Sequence, residues 1–66
     1  MQIAVNNQEC EVADDATVSA LIQQQGINAQ AIAVAVNQKI IHRESWSEYH
    51  VNEGDRVDIV TVVAGG

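Results

Sequence analysis

The residues best placed to do chemistry stand at one end of this sequence, which closes on Ala64-Gly65-Gly66. A carboxylate behind two glycines is a group that another protein can draw into an active site. Without a Cβ, glycine passes through a narrow channel and takes backbone angles closed to other residues. Three extended residues span about 10 Å, enough to deliver the carboxylate some way from a folded body. Frayed chain ends are also small and polar, so the tail alone leaves both readings open. Other reactive side chains are few. Cys10, the single cysteine, alternates in phase with Val12 between two glutamates whose charge opposes a thiolate, and it reads as a small core residue. One cysteine excludes an internal disulfide, a four-cysteine zinc site and a cysteine-ligated iron–sulfur cluster. His42 and His50 lack a further ligand cluster and read as solvent-facing. Phosphate loops, Gly-x-Gly-x-x-Gly, Cys-x-x-Cys and His-Glu-x-x-His are all missing from the sequence. The chain is expected to bind no metal or cofactor and to catalyse nothing by itself.

Composition narrows the partners. With 66 residues there is room for one domain and a small core. An apolar fraction of 47% is that of a globular chain. Three basic residues against nine acidic ones, net charge −6, argue against nucleic acid, because phosphate binding requires lysine and arginine to displace counterions. An acidic surface suits basic protein partners, whose encounter it accelerates. The longest apolar run, Ala31 to Val36, is far too short to cross a bilayer. The first residues lack the basic start and apolar stretch of a secretory signal. A cytoplasmic protein is the expectation.

The elements that must position the tail follow from periodicity. Ile3 and Val5 alternate in Met1 to Val5, Asn6-Asn7-Gln8 is a turn signal, and Glu9 to Val12 alternates again, which together predict a hairpin. Val18, Leu21 and Ile22 form one helical stripe within Asp14 to Gly26. Asp15 or Thr17 is placed to cap the start, Gly26 to end the helix, and Ile27 to fold back over the last turn. Ile32, Val34 and Val36 share one face of a strand, and Asn37-Gln38 turns it into Lys39 to Ile41. Arg43 to Asn52 has no sustained period; Trp46 and Tyr49 are one helical turn apart, and Trp46 reads as a core or loop-anchoring residue. After a turn at Glu53-Gly54-Asp55, Arg56 to Val63 is the last strand. It puts Val57, Ile59, Thr61 and Val63 on one face and Arg56, Asp58, Val60 and Val62 on the other. The expected core is Ile3, Val5, Cys10, Val12, Val18, Leu21, Ile22, Val34, Val36, Val57 and Ile59.

The order β-β-α-β-β-β, with one short helix, predicts an α+β fold. A mixed sheet of four to five strands has its first and last strands parallel at the centre and the helix on one face. That is a β-grasp (ubiquitin-like) arrangement, with residues 1–63 as the domain and 64–66 as a flexible tail. The uncovered face then presents Val60 and Val62, beside Ala4 and Ile40 or Ile41, with Asp58 as a charge among them. An apolar patch at the root of a tail suggests a protein interface.

Specific motifs carry a resemblance over nearly the whole chain. They are Met-Gln-Ile at the start, Thr17-Val18 opening the helix, Ala33-Val34-Ala35-Val36-Asn37, Ile40-Ile41-His42-Arg43-Glu44-Ser45-Trp46, Gly54-Asp55 and Val62-Val63-Ala64-Gly65-Gly66. With these the sequence resembles the ThiS family, the sulfur carriers of thiamine biosynthesis. His42 departs from the pattern, which usually has proline before the arginine. The resemblance implies that Gly66 is adenylated by a ThiF-type adenylyltransferase using ATP and magnesium. The adenylate is then converted to a thiocarboxylate with sulfur from a cysteine desulfurase or sulfur-transfer protein, and the sulfur passes to a ThiG-type thiazole synthase. Ala64 and Gly65 would be the tail that enters those active sites. Two alternatives remain on the same fold: a MoaD-like carrier for molybdopterin, and a β-grasp interaction module or ubiquitin-like tag.

Overall fold

Asparagine shapes both tight hairpins. A two-residue hairpin loop with the right twist needs positive φ at both positions, which asparagine tolerates better than most residues. Asn6 and Asn7 take φ 51° and 69°, and Asn37 and Gln38 take 51° and 71°. The first pair joins β1 (Gln2–Val5) to β2 (Gln8–Glu11), and the second joins β3 (Ile32–Val36) to β4 (Lys39–Ile41). A computed structural model describes residues 1–62; Val63 and the tail Ala64 to Gly66 lie outside them.

Among the described residues the single α-helix is α1 (Val18–Gln25), which uses the later of the two expected caps, Asp15 and Thr17. Asp14 instead meets the Met1 ammonium at 3.2 Å. Thr17 is the cap, its hydroxyl accepting from Ala20 N–H at 3.1 Å. The first turn of any helix has N–H groups without partners inside the helix. Here the loop before the last strand supplies them: Val18 N–H donates to Tyr49 O and Ser19 N–H to Trp46 O. Gly26, at φ 68°, ends the helix with bonds back to Gln23 and Ile22, and Ile27 packs onto the core as expected.

The last strand, β5 (Arg56–Thr61), lies at the centre of a five-stranded sheet ordered β2-β1-β5-β3-β4. It runs parallel to β1 and antiparallel to β3, the β-grasp topology that the element order predicted. Ile3, Val5, Val34, Val36, Val57 and Ile59 bury against Val18, Leu21 and Ile22 on one face.

Three expectations need correction. Cys10 is only half buried: it faces the helix from the edge strand β2, and the Gln24 and Gln25 amides reach its Sγ at 3.5 and 3.3 Å. Ile41 is not an open-face residue. The Asn37-Gln38 turn pairs it with Val34, so it points into the core, 7% exposed. The core also takes in Ala16, Ile32, Trp46 and Val51, because the irregular stretch 43–51 closes the end of the helix layer. There the Trp46 indole N–H donates to Ile41 O at 2.9 Å and the Arg43 guanidinium lies 5.1 Å from its ring centroid. Trp46 is a loop anchor.

His42, at the position where the resemblance leads one to expect proline, has φ −67°, the angle a proline ring imposes. Among the described residues its N–H has no hydrogen-bond partner, and Ile41 before it is in a strand, which proline favours. The ring's absence therefore costs preorganisation and leaves the backbone path unchanged. His42→Pro is expected to stabilise the fold by about 0.4–1 kcal/mol through the unfolded state, read as a rise of a few degrees in thermal melting.

Candidate functional site

The sheet face opposite α1 and the root of the tail form the candidate site. Strand pairing decides which residues share it. Val60 stands opposite Ala33, and Ala35 stands opposite Asp58 on one side and Ile40 on the other. Cross-strand partners point to the same face, so Ile40, Ala33, Ala35, Asp58 and Val60 all lie on the uncovered side. Val62 continues the phase of Val60, its N–H donating to Ala31 O at 2.7 Å, which ties the residue after β5 to the residue before β3.

Ile40, Val60 and Val62 are the exposed large apolar side chains of the described residues, at 59%, 56% and 50%. Ala33 and Ala35 run between them along β3. Their small side chains keep the surface low between β4 and β5. These two alanines were missing from the expected site, although the alternation of Ala31 to Val36 already put them on the right face.

Two further expected members are set apart. Ala4 is on the same face but pairs with Arg56. Arg56 Nε lies 3.5 Å from Asp58 Oδ2, so a charged pair stands between Ala4 and the valines. Ala4 lines a shallow hollow with Gln2, Ile3, Glu9, Glu53 and Gly54 instead. Asp58 is thus an ion-paired residue at the border of the patch, and an exposed pair of this kind contributes at most about 1 kcal/mol to stability.

Asp55 is a carboxylate with a structural task that turn composition alone did not disclose. It is 8% exposed and accepts from Asn37 Nδ2 at 3.0 Å and from Asn52 N–H at 2.7 Å. Asn37 also accepts from Arg56 N–H at 3.0 Å. The two residues lock the β3–β4 turn to the start of β5, which fixes the register that brings Val60 beside Ala33.

Among the described residues no group of three or more His, Cys, Asp or Glu side chains is gathered to hold a metal ion, and no helix is long and apolar enough to cross a membrane. The tail residues Ala64, Gly65 and Gly66, on which the chemistry was expected to rest, fall outside the described residues.

The ThiS family matches residues 1–66 of this chain. The chain is 38% identical over 66 residues to the sulfur carrier protein ThiS of Escherichia coli, covering 100% of both. It is 32% identical to a thiazole synthase of Paramagnetospirillum magneticum, with 100% of this chain matching 20% of that one. A crystal structure of the thiamine biosynthesis protein ThiS from Geobacter metallireducens matches with TM-score 0.89 at 26% identity, covering 100% of both chains. A solution structure of a thiamine biosynthesis protein from the same organism matches with TM-score 0.79 over 100% of this chain and 88% of that one.

Proposed function

This chain belongs to the ThiS family and is a sulfur carrier of thiamine biosynthesis, and from that premise we propose how it carries the sulfur. A carboxylate resists nucleophiles because its negative charge is delocalised over both oxygens. A ThiF-type adenylyltransferase, which holds the ATP and magnesium, lets the Gly66 carboxylate attack the α-phosphorus and expels pyrophosphate. The resulting acyl-adenylate has AMP as a good leaving group. Persulfide sulfur from a cysteine desulfurase displaces AMP, and a thiol cleaves the acyl disulfide so formed, leaving the Gly66 thiocarboxylate. Thiazole synthase takes that sulfur. The chain is then a recycled co-substrate working in the cytoplasm, with no catalytic groups and no cofactor of its own.

The observation that carries the docking half of this proposal is the exposed patch of Ile40, Val60 and Val62 at the root of the tail. A tail that serves several active sites in turn loses conformational freedom at each docking, and the burial of this patch offsets that loss. The similarity to 20% of a thiazole synthase chain supports the pairing of carrier and acceptor.

Intact mass spectrometry tests the proposal. Incubation with adenylyltransferase, ATP, magnesium, desulfurase and thiol is expected to add about 16 Da, one oxygen exchanged for one sulfur. An unchanged mass, or a lysine conjugate to another protein, would refute it. In the same assay Val60→Asp is expected to fold normally and to gain the sulfur at least about tenfold more slowly, because docking would desolvate an unpaired carboxylate. An undiminished rate would move the interface off this face.

A further inference from the structure

β5 is longer than the strand beside it. β1 pairs with β5 only through Ala4 and Val5, and at Asn6 the chain turns away with φ 51°. Asn6 N–H still donates to Val57 O at 2.9 Å. A continued parallel ladder would next have the Asn6 carbonyl accept from Ile59 N–H. Its side-chain amide does this instead: Asn6 Oδ1 accepts from Ile59 N–H at 2.8 Å and Asn6 Nδ2 donates to Ile59 O at 3.2 Å. One asparagine thus carries the ladder one residue pair beyond the end of β1, and there, among the described residues, the intramolecular partners end.

Thr61 is the next residue whose backbone faces that side. Alternate residues of a strand direct their N–H and C=O to opposite neighbours. Val57 and Ile59 bond on the β1 side, whereas Arg56 and Val62 bond toward β3. Thr61 therefore faces away from β3, and among the described residues neither its N–H nor its carbonyl has a hydrogen-bond partner.

Free edges usually carry charges, proline or a bulge that discourage pairing with other chains. The Ile59-Val60-Thr61-Val62-Val63 run has none of these, and every residue in it is β-branched, the type most at home in strands. The two outer strands differ: β2 carries Glu9 and Glu11, and β4 is only three residues long with Lys39 at its start.

We infer that this half-edge is a site of strand addition, where an extended segment of the adenylating partner pairs with Thr61 N–H and C=O in line with the end of β1. The inference rests on the proposed function. If Gly66 enters the partner's active site, that site lies within about 17 Å of Thr61, the length of five extended residues, so the walls of the channel adjoin this edge. Main-chain bonds would then fix the direction in which the tail leaves the body, while Ile40, Val60 and Val62 contribute apolar contact.

Amide hydrogen exchange on the isotopically labelled full chain, with and without the adenylyltransferase, tests this without any substitution. Thr61 N–H is expected to exchange rapidly in the free protein, in contrast to Ile59 and Val60, and to slow at least about tenfold in the complex. Thr61→Pro, which removes the donor, is expected to bind at least about tenfold more weakly, while Thr61→Val binds normally. To keep the reading independent of proline's effect on folding, a chain with an ester bond in place of the Thr61 amide should lose affinity in the same sense. If a complex forms, shown by shifts at Val60 and Val62, and Thr61 exchange is unchanged, strand addition is overturned and the proposed function stands. If no complex forms, both are overturned.

Discussion

Deleting Gly66 is expected to abolish thiocarboxylate formation and leave the melting temperature within about a degree of the parent, because glycine has no side chain to bury and the core of the described residues runs from Ile3 to Ile59. The carboxylate would then belong to Gly65, about 3.5 Å short of its former reach. In-line attack on a phosphorus atom demands closer placement than that, since an error of about 1 Å already costs on the order of a hundredfold in rate. Adding a residue back separates reach from identity. Gly66→Ala keeps the length and adds one methyl group, so its loss of rate would report how closely the channel fits bare backbone. Mass spectrometry after incubation with the adenylyltransferase, ATP and a sulfur source reads both variants. A shortened chain that still gains sulfur would place the reacting group elsewhere.

Much of the frame that presents this carboxylate was legible in residue order, and the failures have definable causes. Asn6-Asn7 and Asn37-Gln38 announce hairpins because few residues tolerate two consecutive positive φ angles, and both turns form. Val18, Leu21 and Ile22 are all buried as their spacing requires. Ile40 and Ile41 could not be assigned to faces from pattern, because a three-residue strand holds too little alternation. Only the register set by the preceding turn sends Ile41 inward and Ile40 outward. Trp46 and Val51 lie in a stretch with no period at all; they are buried because carbonyls of this stretch cap the helix start and draw it over the core. Cys10 had the right face and the wrong depth, since alternation says nothing about distance from a sheet edge. The tasks of Asn6 and Asp55 depend on partners 53 and 18 residues away, beyond the reach of local pattern. Val60, Val62 and Ile40 lie exposed on the uncovered face, the two valines as their phase predicted, while Ala4 is cut off from them by the Arg56–Asp58 pair.

Leu21→Ala is expected to destabilise the fold by about 2–5 kcal/mol, the largest effect of any single truncation in the helix stripe. Leu21 is 0% exposed and the largest of the fully buried side chains. It comes from the only α-helix described, so no second helix is available to close over the space it leaves. A domain of this size commands about 3–10 kcal/mol in total, and this one has no phenylalanine and no pair of cysteines to form a disulfide. A loss of that size removes much or all of its margin. Ile22, 3% exposed one position further on, shares the stripe, and Ile22→Val should cost only about 0.5–1.5 kcal/mol because one methylene is removed. Urea titration followed by circular dichroism would rank the two. The consequence extends to function through the register. Asn37 and Asp55 hold β3 to β5, but the helix must press on that sheet for Val34 and Val57 to stay buried. When it no longer does, Ile40, Val60 and Val62 lose their common plane, and under the proposed function the adenylating partner loses the surface it docks on. Sulfur loading of Leu21→Ala should therefore fall in proportion to the folded fraction and recover at low temperature or with stabilising osmolyte. A variant that melts like the parent would show that the helix is not the keystone of this core.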